Sequence, residues 1–147
     1  ARFEFEILDK FVAGIQLTGT EIKSIRLSQA RITESFCEFN DRGELFIVNM
    51  YIQEYLFGHH FNHKPKSERR LLLNKRELRS LKKDVEAKGN TIVPLRLFIN
   101  DNGFAKLEIA LAKGNGHHFK DFMGHHRVHE ESISQDKERL RKLKPFT

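Results

Sequence analysis

The sequence predicts a mainly β fold, a small antiparallel β-barrel of about six strands with two or three helices around it. Apolar residues repeatedly alternate with polar ones at the period of two that is typical of strands lying on a core. Turn signals such as Asp101-Asn102-Gly103 join neighbouring runs. The few stretches of helical spacing are interspersed among the strand-like runs, which favours a barrel over repeated βαβ units.

Two strands are predicted at the start of the chain. Residues 3–7 alternate between apolar side chains and glutamates, which indicates a strand with one wet face. A turn near Asp9-Lys10 leads into a second run over residues 11–17. We expect these two strands to pair with each other.

A first helix follows at once, where the period changes from two to helical spacing. Either Thr hydroxyl of the segment Thr18-Gly19-Thr20 can accept from a free amide of the first turn. Ile22 and Ile25 then fall on one face, while Lys23 and Arg26 fall on the opposite one. The helix is therefore expected to pack with one side and to display cations with the other.

The middle of the chain contains a predicted hairpin and a loop. Residues 35–40 and 44–53 are apolar and aromatic, and Asp41-Arg42-Gly43 between them suits a short turn. Residues 58–67 contain Gly, Pro, Asn and three histidines without periodicity, which predicts a loop.

Basic residues are concentrated in residues 66–83. This stretch holds eight Lys or Arg against two Glu, a local net charge of +6 that equals the +6 of the whole chain. Asn74, with Glu77 three residues later, predicts the start of a helix over residues 75–88, and Gly89 predicts its end. A solvated helix face explains these charges as well as RNA contact does. The expected core stripe of this helix is Leu78, Leu81 and Val85.

The clearest hairpin signal joins residues 91–99 to residues 104–112 through Asp101-Asn102-Gly103. One side of this ribbon is predicted to be apolar along both strands. The side chains expected there are Val93, Leu95, Leu97, Ile99, Ala105, Leu107, Ile109 and Leu111. Beyond it the composition shifts to His, Lys, Glu and Gly, so we expect a division into a β-barrel domain of residues 1–114 and a basic, His-rich tail of residues 115–147. The tail is expected to be disordered, or partly helical when bound.

The bulk composition favours a polyanionic partner. The net charge of +6 and the isoelectric point near 9.6 make nucleic acid the first choice. Cys37 cannot form an internal disulfide because it is the single cysteine, and we expect a buried structural thiol in a reducing compartment. No apolar run reaches membrane-spanning length and the first residues lack a signal-peptide core, so a cytoplasmic protein without membrane contact is expected. We also expect a monomer.

Four ordered strings carry a resemblance to a known family. They are GTEIKSIR, FNHKP, LLLNKREL and TIVPLRLFINDNGFAKLEIALAKG. The chain resembles the bacterial SsrA-binding protein (SmpB) family over residues 1–114. That resemblance implies an oligonucleotide-binding-type barrel that binds the tRNA-like domain of transfer-messenger RNA and delivers it to stalled ribosomes in trans-translation. It implies two partners, transfer-messenger RNA and the ribosome. From the residues themselves we expect no cofactor and no metal.

Candidate RNA-binding residues follow from the chemistry and the matching strings together. Cations suit phosphates, and exposed rings or polar tips suit unpaired bases. Phe61 has two possible roles, a ring on which RNA bases stack or a residue of the hydrophobic core. Glu21 cannot attract phosphate, so it either pairs with a cation or accepts from a base or ribose hydroxyl. The candidates are Glu21, Lys23, Ser24, Arg26, Asn62, His63, Arg69, Arg70, Lys75 and Arg76, with Lys137, Arg139, Arg141 and Lys142 as ribosome-contacting residues of the tail.

Three features depart from the family pattern. Phe3 and Val12 stand where many relatives have His and a Glu implicated in RNA contact. The tail lacks the Gly-Lys-Lys and Asp-Lys-Arg strings that usually follow Gly114 and whose cations, by the resemblance, belong to the segment that enters the ribosome.

Two alternatives remain beside ribosome rescue. One is a general RNA-binding or ribosome-associated barrel without rescue activity. The other is a metalloenzyme built on the histidine clusters at residues 59–63 and 117–129, which lack a rigid set of four converging ligands. Because no catalytic motif is present either, we expect a binding protein rather than an enzyme.

Overall fold

The computed structural model of the protein describes residues 6–113, apart from the side chains of His59 and Lys88. Within them lie eight β-strands, two α-helices and one short 3-10 turn, and the predicted mainly β fold class is confirmed. Of the first predicted strand, residues 3–5 lie outside the described part, as do the tail residues from 114 onward. The elements are β1 (Glu6–Ile15), α1 (Gly19–Arg26), β2 (Ala30–Arg31), β3 (Phe36–Phe39), β4 (Leu45–Val48), β5 (Tyr51–Ile52), the 3-10 turn (His59–Phe61), β6 (Arg69–Leu72), α2 (Lys75–Lys88), β7 (Thr91–Ile99) and β8 (Ala105–Lys113).

Six of the strands form one curled antiparallel sheet in the order β3-β4-β6-β1-β8-β7, and β2 pairs with β5 separately. The two edge strands, β3 and β7, approach each other. No hydrogen-bonded ladder joins them in residues 6–113, so the sheet wraps around the core without closing. The expected closed barrel is thus an open, oligonucleotide-binding-like arrangement.

The predicted turn near Asp9-Lys10 is wrong, because the chain continues through it as one strand. β1 pairs with β8 from Glu6 to Gly14, and a register shift between Ile7 and Asp9 absorbs the irregularity. The first five residues of β1 are exposed, so the polar pair meets solvent rather than the core. A long partner strand therefore outweighs the local turn signal.

The predicted capping and turn residues are confirmed. Thr18 caps α1 and Asn74 caps α2, each in a capping box with the Glu three residues later. Gly89 ends α2 at a φ of 65°, while Gly43 and Gly103 take φ values of 78° and 84° in the two hairpin turns. These are backbone conformations that favour glycine.

The β7–β8 hairpin departs from the prediction at one point. Leu97 pairs with Leu107, as expected, but the register shifts between Pro94 and Arg96. Proline cannot donate to the ladder and commonly marks such a bulge. Beyond it Ile92 joins the main core, whereas Val93 packs in a small second cluster with Ala112 and Phe36.

The core lies between the curled sheet and the two helices. Leu81 of α2 is fully buried, with Leu78 and Val85 packed beside it, which confirms the predicted stripe. Half-buried Cys37 also contacts this core, and desolvation raises the pKa of its thiol, so it stays protonated. No helix within residues 6–113 has the length and apolar character needed to cross a membrane. The largest fully buried apolar side chains are Ile32, Leu45, Ile47, Met50, Ile52, Leu71, Leu81, Leu107 and Ile109.

Candidate nucleic-acid interface

The first turn of α1 positions a buried carboxylate. Oε1 of Glu21 accepts from the backbone amide of Thr18 at 2.8 Å, which completes the capping box. The residue is only 4% exposed. A buried carboxylate is costly unless it is paired, so its second oxygen needs a cation.

Arg69 supplies that cation from β6. Its Nε donates to Oε2 of Glu21 at 2.6 Å, and Nη1 donates to the backbone oxygen of Met50 at 2.6 Å. Nη2 donates to the backbone oxygens of Pro65 and Lys64 at 3.0 and 3.2 Å. Of the two roles expected for Glu21, pairing with a cation is the one observed. The guanidinium also joins α1, the β4–β5 turn and the loop of residues 58–67.

Asn62 and His63 hold the same loop. The side-chain amide of Asn62 accepts from the amide of Tyr55 at 3.0 Å and donates to the carbonyl of Tyr55 at 2.7 Å. His63 places Nε2 at 2.9 Å from the backbone oxygen of Ile52 and Nδ1 at 2.9 Å from Oγ1 of Thr20. Because a carbonyl only accepts, Nε2 carries the proton and Nδ1 faces the Thr hydroxyl. Both side chains are therefore engaged in hydrogen bonds with other residues of the protein.

Glu21, Arg69, Asn62 and His63 together are called the polar centre below. Ser24, three residues after Glu21, is fully buried on α1. Its hydroxyl has no hydrogen-bond partner in the part of the chain that the structure describes. These five candidates are thus in the interior or bonded to it.

The other five candidates are cations that reach solvent. Lys23 lies with Nζ 5.4 Å from the centre of the Tyr55 ring, and Arg26 donates to the backbone oxygen of Gly103 at 3.3 Å. Lys75 and Arg76 are exposed in the first turn of α2.

Arg70 belongs to a groove between α2 and the β3–β4 turn, called the basic groove below. It pairs with Glu44 at 3.0 Å and keeps 41% of its side chain exposed. A hydrogen bond from Asn40 and the charges of Arg70 and Arg42 hold the pKa of Glu44 below its ordinary value, against a smaller opposing effect of burial. The cations lining the groove are Arg42, Arg70, Lys75, Arg79 and Lys82. An array of five cations around one carboxylate can hold a phosphate backbone.

A second surface was missed in the sequence, on the outer face of β6, β1 and β8. Val12 and Leu72 are 52% and 48% exposed there, and Gly14 lies between Leu72 and Lys106 in the strand register. The groove above them also contains Arg26 and the 64% exposed Phe104. The run Leu71-Leu72-Leu73 could have revealed this surface. Successive side chains of a strand point to opposite faces, so the three leucines cannot all face the core.

Within residues 6–113, no three His, Cys, Asp or Glu side chains are arranged to hold a metal ion, as the metalloenzyme alternative would require. The tail histidines lie outside the described residues, and so do Lys137, Arg139, Arg141 and Lys142.

A family model described as "SmpB protein" matches residues 1–143. The chain belongs to the SmpB family. The match extends beyond Gly114, where the quoted strings end, so the family pattern also covers most of the tail despite its unusual composition.

Curated relatives and a solved structure agree with the SmpB assignment. An "SsrA-binding protein" of Flavobacterium psychrophilum is 58% identical over 142 residues, covering 97% of this chain and 91% of the relative. One of Brucella canis is 52% identical over 120 residues, covering 82% and 75%. A chain from the structure "tmRNA-SmpB: a journey to the center of the bacterial ribosome" is 40% identical with a TM-score of 0.60, covering 97% of this chain and 90% of that one.

Proposed function

We propose that this protein binds the tRNA-like domain of transfer-messenger RNA and delivers it to stalled ribosomes in trans-translation. The observation that carries the proposal is the 58% identity, over 97% of the chain, to a protein named for binding SsrA RNA. The solved relative, whose structure is titled for tmRNA-SmpB and the bacterial ribosome, supports the ribosome as the second partner.

The described surface suits this role through charge and shape. The exposed cations of the basic groove and of α2 would neutralise phosphates, which supplies affinity without sequence preference. The outer sheet face would meet bases or sugars through Val12, Leu72 and Lys106, and Arg26 beside it would reach phosphate. The polar centre would act one step away, because Glu21 and Arg69 are buried and half-buried Asn62 and His63 bond to the backbone of β5, to the loop after it and to α1.

The proposed activity is binding and not catalysis. The single thiol has a raised pKa, the opposite of an activated nucleophile, and burial is the cause. The proposed role needs no cofactor or metal, and it would be carried out in the cytoplasm, where ribosomes stall.

The division of labour along the chain is part of the proposal. Residues 1–114 would bind RNA, since the basic groove and both helices lie there. Residues 115–147 would contact the ribosome through Lys137, Arg139, Arg141 and Lys142. A chain ending at Gly114 should then keep most of its RNA affinity and lose tagging activity.

The test is a gel-shift titration against transfer-messenger RNA and an ordinary tRNA, run beside a reconstituted tagging assay. We expect tighter binding of transfer-messenger RNA and tagging that depends on the full chain. Equal binding of both RNAs without tagging would instead indicate the general RNA-binding alternative. Stoichiometric zinc after chelation and dialysis would favour the metalloenzyme alternative.

A further inference from the structure

The loop that follows β5 exposes more apolar surface than any folding role explains. Leu56, Phe57 and Phe61 are 82%, 66% and 89% exposed, within six consecutive residues. Clustered exposure of large apolar side chains is uncommon on a soluble surface and marks sites of interaction. The core gains little from these three side chains.

The polar centre holds this loop in place. Asn62 bonds both backbone groups of Tyr55, so the segment between them is a closed turn. Gly58 sits so close to Asn62 that an added Cβ would lie 2.6 Å from its Nδ2, which only a residue without a side chain avoids. The Phe57 ring stands edge-on to Tyr55, with ring centres 5.7 Å apart. The two phenylalanine rings are thus presented on a fixed frame, which lowers the entropic cost of binding.

The charge around the rings indicates what they meet. Residues 55–67 contain no Asp or Glu, although exposed Glu54 and Glu68 border the segment, and Lys64 and Lys66 are exposed within it. Lys23 adds a third cation beside Tyr55, 5.4 Å from the centre of its ring. Exposed rings in a segment whose own charged residues are all cations suit a partner with flat faces and negative charge.

We propose that Phe57 and Phe61 form an aromatic platform on which unpaired bases of RNA stack, with Lys23, Lys64 and Lys66 on the adjoining phosphates. Asn62 and His63 are positioning residues of this platform, not contacts. The inference deepens the proposed function, since it names the groups that touch bases, but it requires only that the protein bind RNA with unpaired nucleotides.

The experiment compares Phe57→Leu, Phe61→Leu and the double variant with the ring-keeping Phe57→Tyr and Phe61→Tyr. Leucine keeps an apolar side chain of similar bulk and removes the flat π face. Leu8→Ala, on the exposed part of β1, is the matched control for lost apolar surface. Binding is measured by titration of transfer-messenger RNA and of a single-stranded RNA of about a dozen nucleotides that carries 2-aminopurine. Quenching of 2-aminopurine fluorescence reports stacking directly.

Each leucine substitution should weaken RNA binding by about fivefold to a hundredfold and reduce the quenching. Tyrosine variants and Leu8→Ala should bind like the wild type. The dependence of affinity on salt should stay unchanged in the leucine variants, because no phosphate contact is lost.

Several results would overturn the platform. One is unchanged RNA affinity in the double leucine variant. Another is unchanged RNA affinity combined with weaker sedimentation with ribosomes, which would make this loop a protein-docking surface. A wild-type protein that binds neither RNA would also overturn it. Wild-type protein that binds the short RNA with Phe-dependent quenching, but shows no preference for transfer-messenger RNA, would refute the proposed function and leave the platform standing.

Discussion

Arg69 and Arg70 are neighbours on β6, and they belong to two regions with opposite properties. Arg69 points inward to the polar centre, is 3% exposed and bonds Glu21 and three backbone carbonyls. Arg70 points outward into the basic groove, where it pairs with the partly exposed carboxylate of Glu44. Two adjacent candidates for RNA contact thus divide into one that holds the fold together and one that faces solvent.

The difference is one of dielectric environment. A buried ion pair contributes little net stability when intact but is costly to break, since the remaining charge has no water around it. An exposed pair is screened, and its loss is nearly neutral for folding. Substitutions in the polar centre should therefore lower the stability of the fold, and substitutions in the basic groove should lower RNA affinity.

The largest expected effect is on stability, from Arg69→Ala. Removing the guanidinium leaves the Glu21 carboxylate unpaired and frees the carbonyls of Met50, Lys64 and Pro65, so unfolding free energy should fall by about 3–5 kcal/mol. Urea denaturation of purified protein measures it. Arg70→Ala is the matched control, with an expected loss below about 1 kcal/mol. Similar losses for both variants would erase the distinction between the two regions.

The next effect is on RNA affinity, from the combined change of Lys75, Arg76 and Arg79 to Gln. These exposed cations should account for about three phosphate contacts, so affinity should fall by about a hundredfold and the slope of log affinity against log salt by about two to three. Thermal stability should barely change. A control that replaces exposed Lys10, Arg31 and Lys113 by Gln removes the same charge elsewhere. An equal loss of affinity in that control would show that net charge alone matters.

A smaller effect separates the positioning residues from the contacts. Asn62→Ala strips the Tyr55 amide and carbonyl of their partners, which should cost about 1–3 kcal/mol of stability. His63→Ala should act in the same direction through Ile52 and Thr20. His60→Ala, at an exposed neighbour, should leave stability unchanged. Full stability of both variants with reduced RNA affinity would return Asn62 and His63 to direct base contact, as the sequence alone predicted.

The smallest effect is the pH dependence contributed by Glu44. Its pKa is lower in the folded protein than the ordinary 4.5, because of Asn40 first and then Arg70 and Arg42. A depressed pKa gives stability that is present above the unfolded value and is lost as pH falls through the folded value. Between about pH 5 and pH 2, the melting temperature should therefore fall less steeply with decreasing pH in Glu44→Gln than in the wild type. Parallel curves would show that this groove carboxylate contributes nothing to acid unfolding.

Much of the fold follows from local signals in the sequence. The caps at Thr18 and Asn74, the end of α2 at Gly89 and the hairpin turn at Gly103 all act over four or five residues, so they can be recognised without knowing the partners. The family assignment was also available from the strings themselves, and the match over residues 1–143 extends it. The concentration of basic residues in 66–83 is plain in the sequence, and it remains a prediction that RNA is what these cations contact.

The arrangement of the site depended on contacts between distant residues. Strand β6 was hidden in the basic run, since two consecutive arginines do not show which one is inside. The carboxylate of Glu21, 48 positions away, and three backbone carbonyls together make the interior acceptable for Arg69. The continuous β1 likewise depends on β8, and the outward turn of Leu72 on its pairing with Gly14. The sequence by itself determined the elements, their ends and the family, because these rest on short-range backbone chemistry. Tertiary structure decided which charged and apolar side chains face solvent, because burial of a charge depends on partners that the chain brings together only on folding.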